Sequence, residues 1–136
     1  MRTPSKREET RIMIGYVTLG TNDLPRAAAF YDALLAPLGI QRIMDFGTGY
    51  AWGSAMDKPA LGIMKPYNKQ PATAGNGTMV AIVVDTKAKV DEGYRRALAL
   101  GGTDEGPAGP RGDSFYAGYF RDLDGNKLNF FCMTGQ

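Results

Sequence analysis

The feature that most constrains this chain is that it reads twice as the same unit. "IMIGYVTLGTNDLPRAAAFYDALLAPLGI", residues 12–40, predicts a strand, a polar cap, an amphipathic helix and a glycine stop. "GTMVAIVVDTKAKVDEGYRRALALGG", residues 77–102, predicts the same succession again. Self-similarity on this scale marks a repeated structural unit. One unit alone has a helix stripe and a sheet face to bury and cannot bury both. Two units can, if their sheets join and curl while the helices cover the outer faces. The concave inner face would then be lined by strand residues that alternate away from the helices.

The local signals agree with that reading. Ile12–Leu19 is expected as a strand. Thr21, Asn22 and Asp23 offer N-cap oxygens, and Pro25 falls in the first turn, where a missing N–H costs nothing. Leu24, Ala27, Ala28, Tyr31, Leu34, Leu35 and Leu38 recur at helical spacing and form one apolar stripe. Pro37 and Gly39 stop the helix. Three short strands are expected next, at Gln41–Phe46, Gly49–Ser54 and Ala60–Met64. The Pro-, Gly- and Asn-rich stretch 65–77 reads as a connection, with the linker proper at 67–75. It divides module one, 12–66, from module two, 76–133. In module two Asp85 is the expected cap, and Val90, Tyr94, Ala97 and Leu98 form the stripe. Gly101 and Gly102 end the helix in the left-handed conformation. "DEGPAGPRGDS", 104–114, reads as a loop before two closing strands at Phe115–Arg121 and Asn126–Met133.

Composition excludes several functions. The tail "MRTPSKREETR" carries four basic and two acidic residues, the whole of the chain's net charge of +2. The body is therefore neutral, which argues against a nucleic-acid surface. Residues 1–11 are polar and read as a disordered extension rather than a signal peptide. No window is long or apolar enough to span a membrane. A single cysteine, Cys132, rules out an internal disulfide, and these features together suggest a cytoplasmic protein. There is no histidine, so the commonest metal ligand and neutral-pH proton carrier is missing. No Ser–His–Asp, Cys–His or phosphate-loop constellation is present, and "RGD" at 111–113 reads as chance.

The matching stretches "VTLGTNDLPRAAAFYDALLAPLGI" at 17–40, "KPALGIMKPYNKQPATAGNGTMVAI" at 58–82, and "ALGGTDEGP" with "YFRDLDGNKLNFF" in 99–131 resemble the vicinal oxygen chelate superfamily. That superfamily includes glyoxalase I, extradiol dioxygenases and bleomycin-resistance proteins. The resemblance implies an α+β fold, with two βαβββ modules forming a curved mixed sheet cup and the helices outside. It also implies a homodimer. Metalloenzymes of the family hold a divalent ion on the inner strand faces, commonly with two histidines and a glutamate. Carried over, those positions fall on Tyr16, Met79 and Asn129. None is a strong ligand, so the expectation is no metal and no cofactor.

The candidate cup residues are Tyr16, Thr18, Trp52, Met79, Tyr116, Asn129 and Arg111. Tyr16 is either a core aromatic with one hydroxyl partner or a group reaching a ligand. Met79 fits simple wall packing. Asn129 stands between Leu128 and Phe130, alternating onto the opposite face. Buried there, its amide needs a partner, either Tyr16 across the cup or a bound carbonyl or amide. Trp52 with Tyr50 commonly means core packing, but their strand borders the cup, and Phe115, Tyr116 and Tyr119 are open to the same two readings. Arg111 is placed at the mouth, where a guanidinium can grip a carboxylate or phosphate. The expected function is binding of a small organic molecule in a metal-free cup, with no nucleic-acid or membrane partner. The alternatives are a glyoxalase-like lyase or dioxygenase with a non-standard metal site or metal-free acid–base chemistry, and a non-catalytic interaction module.

Overall fold

The computed structural model describes residues 12–134; the tail expected to be disordered lies outside them. Strand β1 (Tyr16–Gly20) leads to helix α1 (Leu24–Leu35) and a short 3-10 turn at Ala36–Leu38. Strands β2 (Gln41–Asp45), β3 (Gly49–Gly53) and β4 (Ala60–Met64) complete module one. Module two repeats the succession as β5 (Val80–Val83), α2 (Lys87–Ala99), β6 (Thr103–Pro110), β7 (Phe115–Arg121) and β8 (Lys127–Met133). The sheets have the same order, β1-β4-β3-β2 and β5-β8-β7-β6, with the first pair of each parallel and the rest antiparallel. Two βαβββ modules thus form an open, curved mixed sheet with one helix on each half.

Helix α1 starts where its chemistry allows. Asp23 accepts from the Arg26 N–H, Pro25 sits in the first turn, and Gly39 closes the end at φ 75°. In α2 the cap is Thr86, not Asp85: its hydroxyl oxygen accepts from the Lys89 N–H. Asp85 instead pairs with Lys89 through side chains at 2.9 Å. Strand β1 begins later than the apolar run suggests. Its ladder with β4 starts at Tyr16 opposite Ala60, and Ile12, Met13 and Ile14 stay outside it, exposed.

The Gly/Pro-rich stretch expected as a loop is strand β6. It pairs with β7, but the register shifts between Asp104 and Gly106 and again between Gly106 and Gly109. Two interruptions and two prolines suit an edge strand, whose outer N–H groups need no partner. That is why its composition hides it.

One apolar core runs through both modules. Trp52, Tyr31, Phe30, Leu34 and Ile63 from module one join Phe120, Phe130, Leu128 and Val90 from module two. Burying each of the large side chains contributes roughly 2–3 kcal/mol. Gly93 has a packing reason for lying inside α2: a Cβ there would meet the Phe130 ring at 2.7 Å.

A polar clamp joins the modules. The β7–β8 turn, with Gly125 at φ 87°, folds around the buried carboxylate of Asp122. One oxygen of Asp122 accepts from the Asp124 and Asn126 N–H groups, each at 2.9 Å. The other accepts from Asn126 Nδ2 at 2.9 Å and from the Tyr31 hydroxyl of α1 at 2.6 Å. Asn126 also donates to Gly20 O at the end of β1, at 2.9 Å, and Asp124 accepts from the Asn22 N–H. The "DLDGN" turn therefore both reverses the chain and ties module two to the first helix.

Candidate functional site

Strand pairing assigns the faces, because residues directly opposite in a ladder share one. In module one Val17, Leu19, Tyr50, Trp52, Leu61 and Ile63 point toward α1. Thr18, Gly62 and Ala51 stand side by side across β1, β4 and β3 on the other face. Thr18 is exposed, whereas Gly62 and Ala51 are buried. Tyr16 is on the same face, 66% exposed, as is Thr18.

In module two Tyr116, Phe120, Leu128, Phe130 and Cys132 point toward α2. Ala81, Asn129 and Tyr119 lie side by side on the other face, with Ala117 and Phe131 next to them. Asn129 is 1% exposed, and its Oδ1 has no hydrogen-bond partner. Phe131 stacks on Phe115 with ring centroids 5.2 Å apart.

The expected site residues divide. Tyr16, Thr18 and Asn129 lie on the faces away from the helices. Tyr16 and Asn129 make no hydrogen bond to each other. Met79 precedes β5 and lines a cleft of about 510 Å³ between the free edges of β1 and β5, with Ile14, Val17 and Val80.

Trp52 and Tyr116 are on the wrong side for the cup. Trp52 is buried beneath α1, where its indole N–H donates to Asp32 at 3.0 Å; only its edge reaches the cleft that holds Met79. Tyr116 donates to Asp91 of α2 at 2.6 Å, and that bond holds its phenol above the ordinary tyrosine range. Both strands were correctly expected, but the parity of these residues was not. Cys132 is buried on the helix side.

Arg111 does not reach out freely. Its guanidinium folds back over β6 and donates to the carbonyls of Pro107 at 2.7 Å, Gly109 at 3.1 Å and Pro110 at 3.2 Å. It rests 5.4 Å from the centre of the Tyr119 ring, and Lys127 lies 5.6 Å from the same ring.

Two groups of strong interactions belong to the scaffold. Arg42 holds Asp32 through Nε at 3.0 Å and Nη2 at 2.6 Å and lies over the Tyr50 ring at 4.3 Å. These bonds hold the Asp32 carboxyl below its usual range. Burial, and then the Asp122 carboxylate, push the Tyr31 phenol well up.

The family model for the glyoxalase/bleomycin resistance protein/dioxygenase superfamily matches residues 13–130. The chain belongs to that superfamily. A glyoxalase/bleomycin resistance protein from Albidiferax ferrireducens T118 is 36% identical to it, with TM-score 0.81, covering 89% of this chain and 98% of that one. Lactoylglutathione lyase from Agrobacterium tumefaciens shares the fold at 23% identity and TM-score 0.66, over 90% of this chain and 93% of its own. The fosfomycin resistance protein FosX from Listeria monocytogenes shares it at 22% identity and TM-score 0.66, with the same coverages. None of the curated proteins matches the chain.

The positions that the sequence resemblance matches to the superfamily's metal ligands, Tyr16, Met79 and Asn129, carry a phenol, a thioether and a neutral amide. Zn, Fe and Mn sites need imidazole, carboxylate or thiolate donors converging. The chain has no histidine, and no three His, Cys, Asp or Glu side chains among the described residues cluster to hold an ion. The side chains at these positions do not fit a divalent metal. No helix among the described residues is long and apolar enough to cross a membrane.

Proposed function

We propose that this protein binds a small organic molecule on the open faces of its sheets, without the metal used by enzymes of its superfamily. One observation carries the reading. Asn129 occupies the position matched to the metal-binding carboxylate, is buried on the face away from α2, and has an acceptor oxygen with no partner. Buried polar groups are nearly always satisfied, so an unpartnered one on such a face suits a ligand donor. Strands β1 and β5 each end a sheet and leave a free edge of the kind proteins cover, which supports a second copy pairing there, so a homodimer is part of the proposal. A cytoplasmic location, supported by the lone buried cysteine, is part of it too.

Two measurements test this. Elemental analysis of purified protein should find no stoichiometric Zn, Fe, Mn or Ni; one ion per chain refutes the metal-free part. A thermal-shift screen of small aromatic and apolar compounds should find ligands, since one at 100 times its dissociation constant adds about 2.7 kcal/mol of stability. A screen in which no compound raises the melting temperature counts against the binding role.

A further inference from the structure

Around Asn129 the open face of module two is not uniformly apolar. Tyr119 stands directly beside Asn129 in the β7–β8 ladder. Arg111 and Lys127 both lie within 6 Å of the Tyr119 ring centre, at 5.4 and 5.6 Å. Neither forms an ion pair with a described acidic residue, whereas Arg42, Arg96 and Arg121 each hold a carboxylate. Glu105, the acid that β6 brings toward this sheet, is taken by Arg121.

The position of Arg111 is built. The guanidinium lies close against Gly106, where a Cβ would stand 3.3 Å from one of its nitrogens. Three carbonyls then fix it. A cation held in place by neutral groups keeps its charge available, and a fixed fork loses little freedom on meeting an anion. Lys127 and Asn129 are two residues apart on one face of β8, so their Cα atoms are roughly 7 Å apart.

We infer that this face selects a planar anion carrying an O–H or N–H donor: the anionic group meets Lys127, Arg111 adds positive charge from the β6 side of Tyr119, the ring packs beside Tyr119, and the donor satisfies Asn129 Oδ1. This rests on the pocket reading above and narrows it to a chemical class. Para-hydroxylated aromatic carboxylates span about the Lys127–Asn129 spacing and carry both groups. A second copy seated on this face would show no preference among such acids.

The test titrates the full chain with 4-hydroxybenzoate, benzoate and 4-hydroxybenzamide, following the amide resonances of Tyr119 and Asn129 by NMR. The hydroxy acid should bind at least about tenfold tighter than either control, the equivalent of about 1.4 kcal/mol. Lys127→Gln, and independently Arg111→Gln, should shrink the preference for acid over benzamide. Asn129→Leu should erase the preference for the hydroxyl while benzoate still binds. Melting curves confirm that each variant folds. If the benzamide binds as tightly as the acid, the inference is overturned and the pocket stands. The same holds if a neutral compound from the thermal-shift screen moves these resonances and the acids do not. If no compound moves them at all, both readings fall.

Discussion

Replacing Tyr31 with phenylalanine isolates the clamp between the modules. The ring stays, so no cavity opens; only the hydroxyl that donates to Asp122 at 2.6 Å is lost. Both partners are buried, Tyr31 at 0% and Asp122 at 6% exposure. A hydrogen bond to a charged group contributes about 1.5–3 kcal/mol. Asp122 keeps Asn126 Nδ2 and two backbone N–H groups, so its carboxylate is not stranded. The expected loss is therefore near the middle of that range, about 2 kcal/mol. For a chain of this size that lowers the melting temperature by roughly 8 °C. Tyr116→Phe is the control: it removes an equally short bond, to Asp91, but at a half-exposed site where water replaces the partner. It should cost less than about 1 kcal/mol. pH adds a second readout. The Tyr31 phenol is raised in the folded state, so its contribution is complete below about pH 10, the unfolded value, and is lost as pH rises through the folded value. Wild type should lose stability across that alkaline range more steeply than Tyr31→Phe. Denaturant melts of both variants from neutral pH upward provide the measurement. Equal, small losses in the two variants would refute the claim that Asp122 and Tyr31 lock the modules together.

Gly93→Ala should destabilise the protein even though alanine is the better helix former by about 1 kcal/mol, because its Cβ would meet the Phe130 ring at 2.7 Å; a melt showing a gain refutes the close-packing account. Asn129→Leu should leave the melting temperature unchanged or raise it, since Oδ1 already lacks a partner and removing an unmade buried acceptor is worth up to about 1–3 kcal/mol. A clear loss on thermal denaturation would show that the amide is satisfied in solution. The Asp32 carboxyl is held low, chiefly by its bonds to Arg42, so its contribution is present above the unfolded value near pH 3.9 and is lost as pH falls through the folded value. Trp52, the only tryptophan, donates to the same carboxylate, so its fluorescence should titrate in that acid range, and Asp32→Asn should abolish the titration.

Periodicity carried the architecture because helices and buried strands impose it. The α1 stripe from Leu24 to Leu35, its Asp23 cap and its Gly39 stop could all be read from residue order, and so could the repeat in module two. Strand β6 could not, because an edge strand with two register shifts needs no alternating apolar face. Site residues depend on something finer, the parity of each strand relative to its neighbours. Shifting a strand by one position exchanges its faces. The expectation that Trp52 and Tyr116 line the cup fails on that parity alone, while Tyr119 takes the face away from α2. The information to settle module two was nevertheless in the chain. The "DLDGN" turn is centred on Asp124, and the ladder is symmetric about it: Arg121 faces Lys127 and Tyr119 faces Asn129. Once Asn129 is assigned to the face away from α2, Tyr119 must follow and Tyr116 cannot. Arg111 is different. Its placement rests on the carbonyls of Pro107, Gly109 and Pro110, all within four residues of it, but the irregular path of β6 that brings them around the guanidinium has no periodic signature. The scaffold of the site was thus encoded in turns and alternation, whereas its charge arises where an irregular edge strand lets an arginine lie down beside a tyrosine.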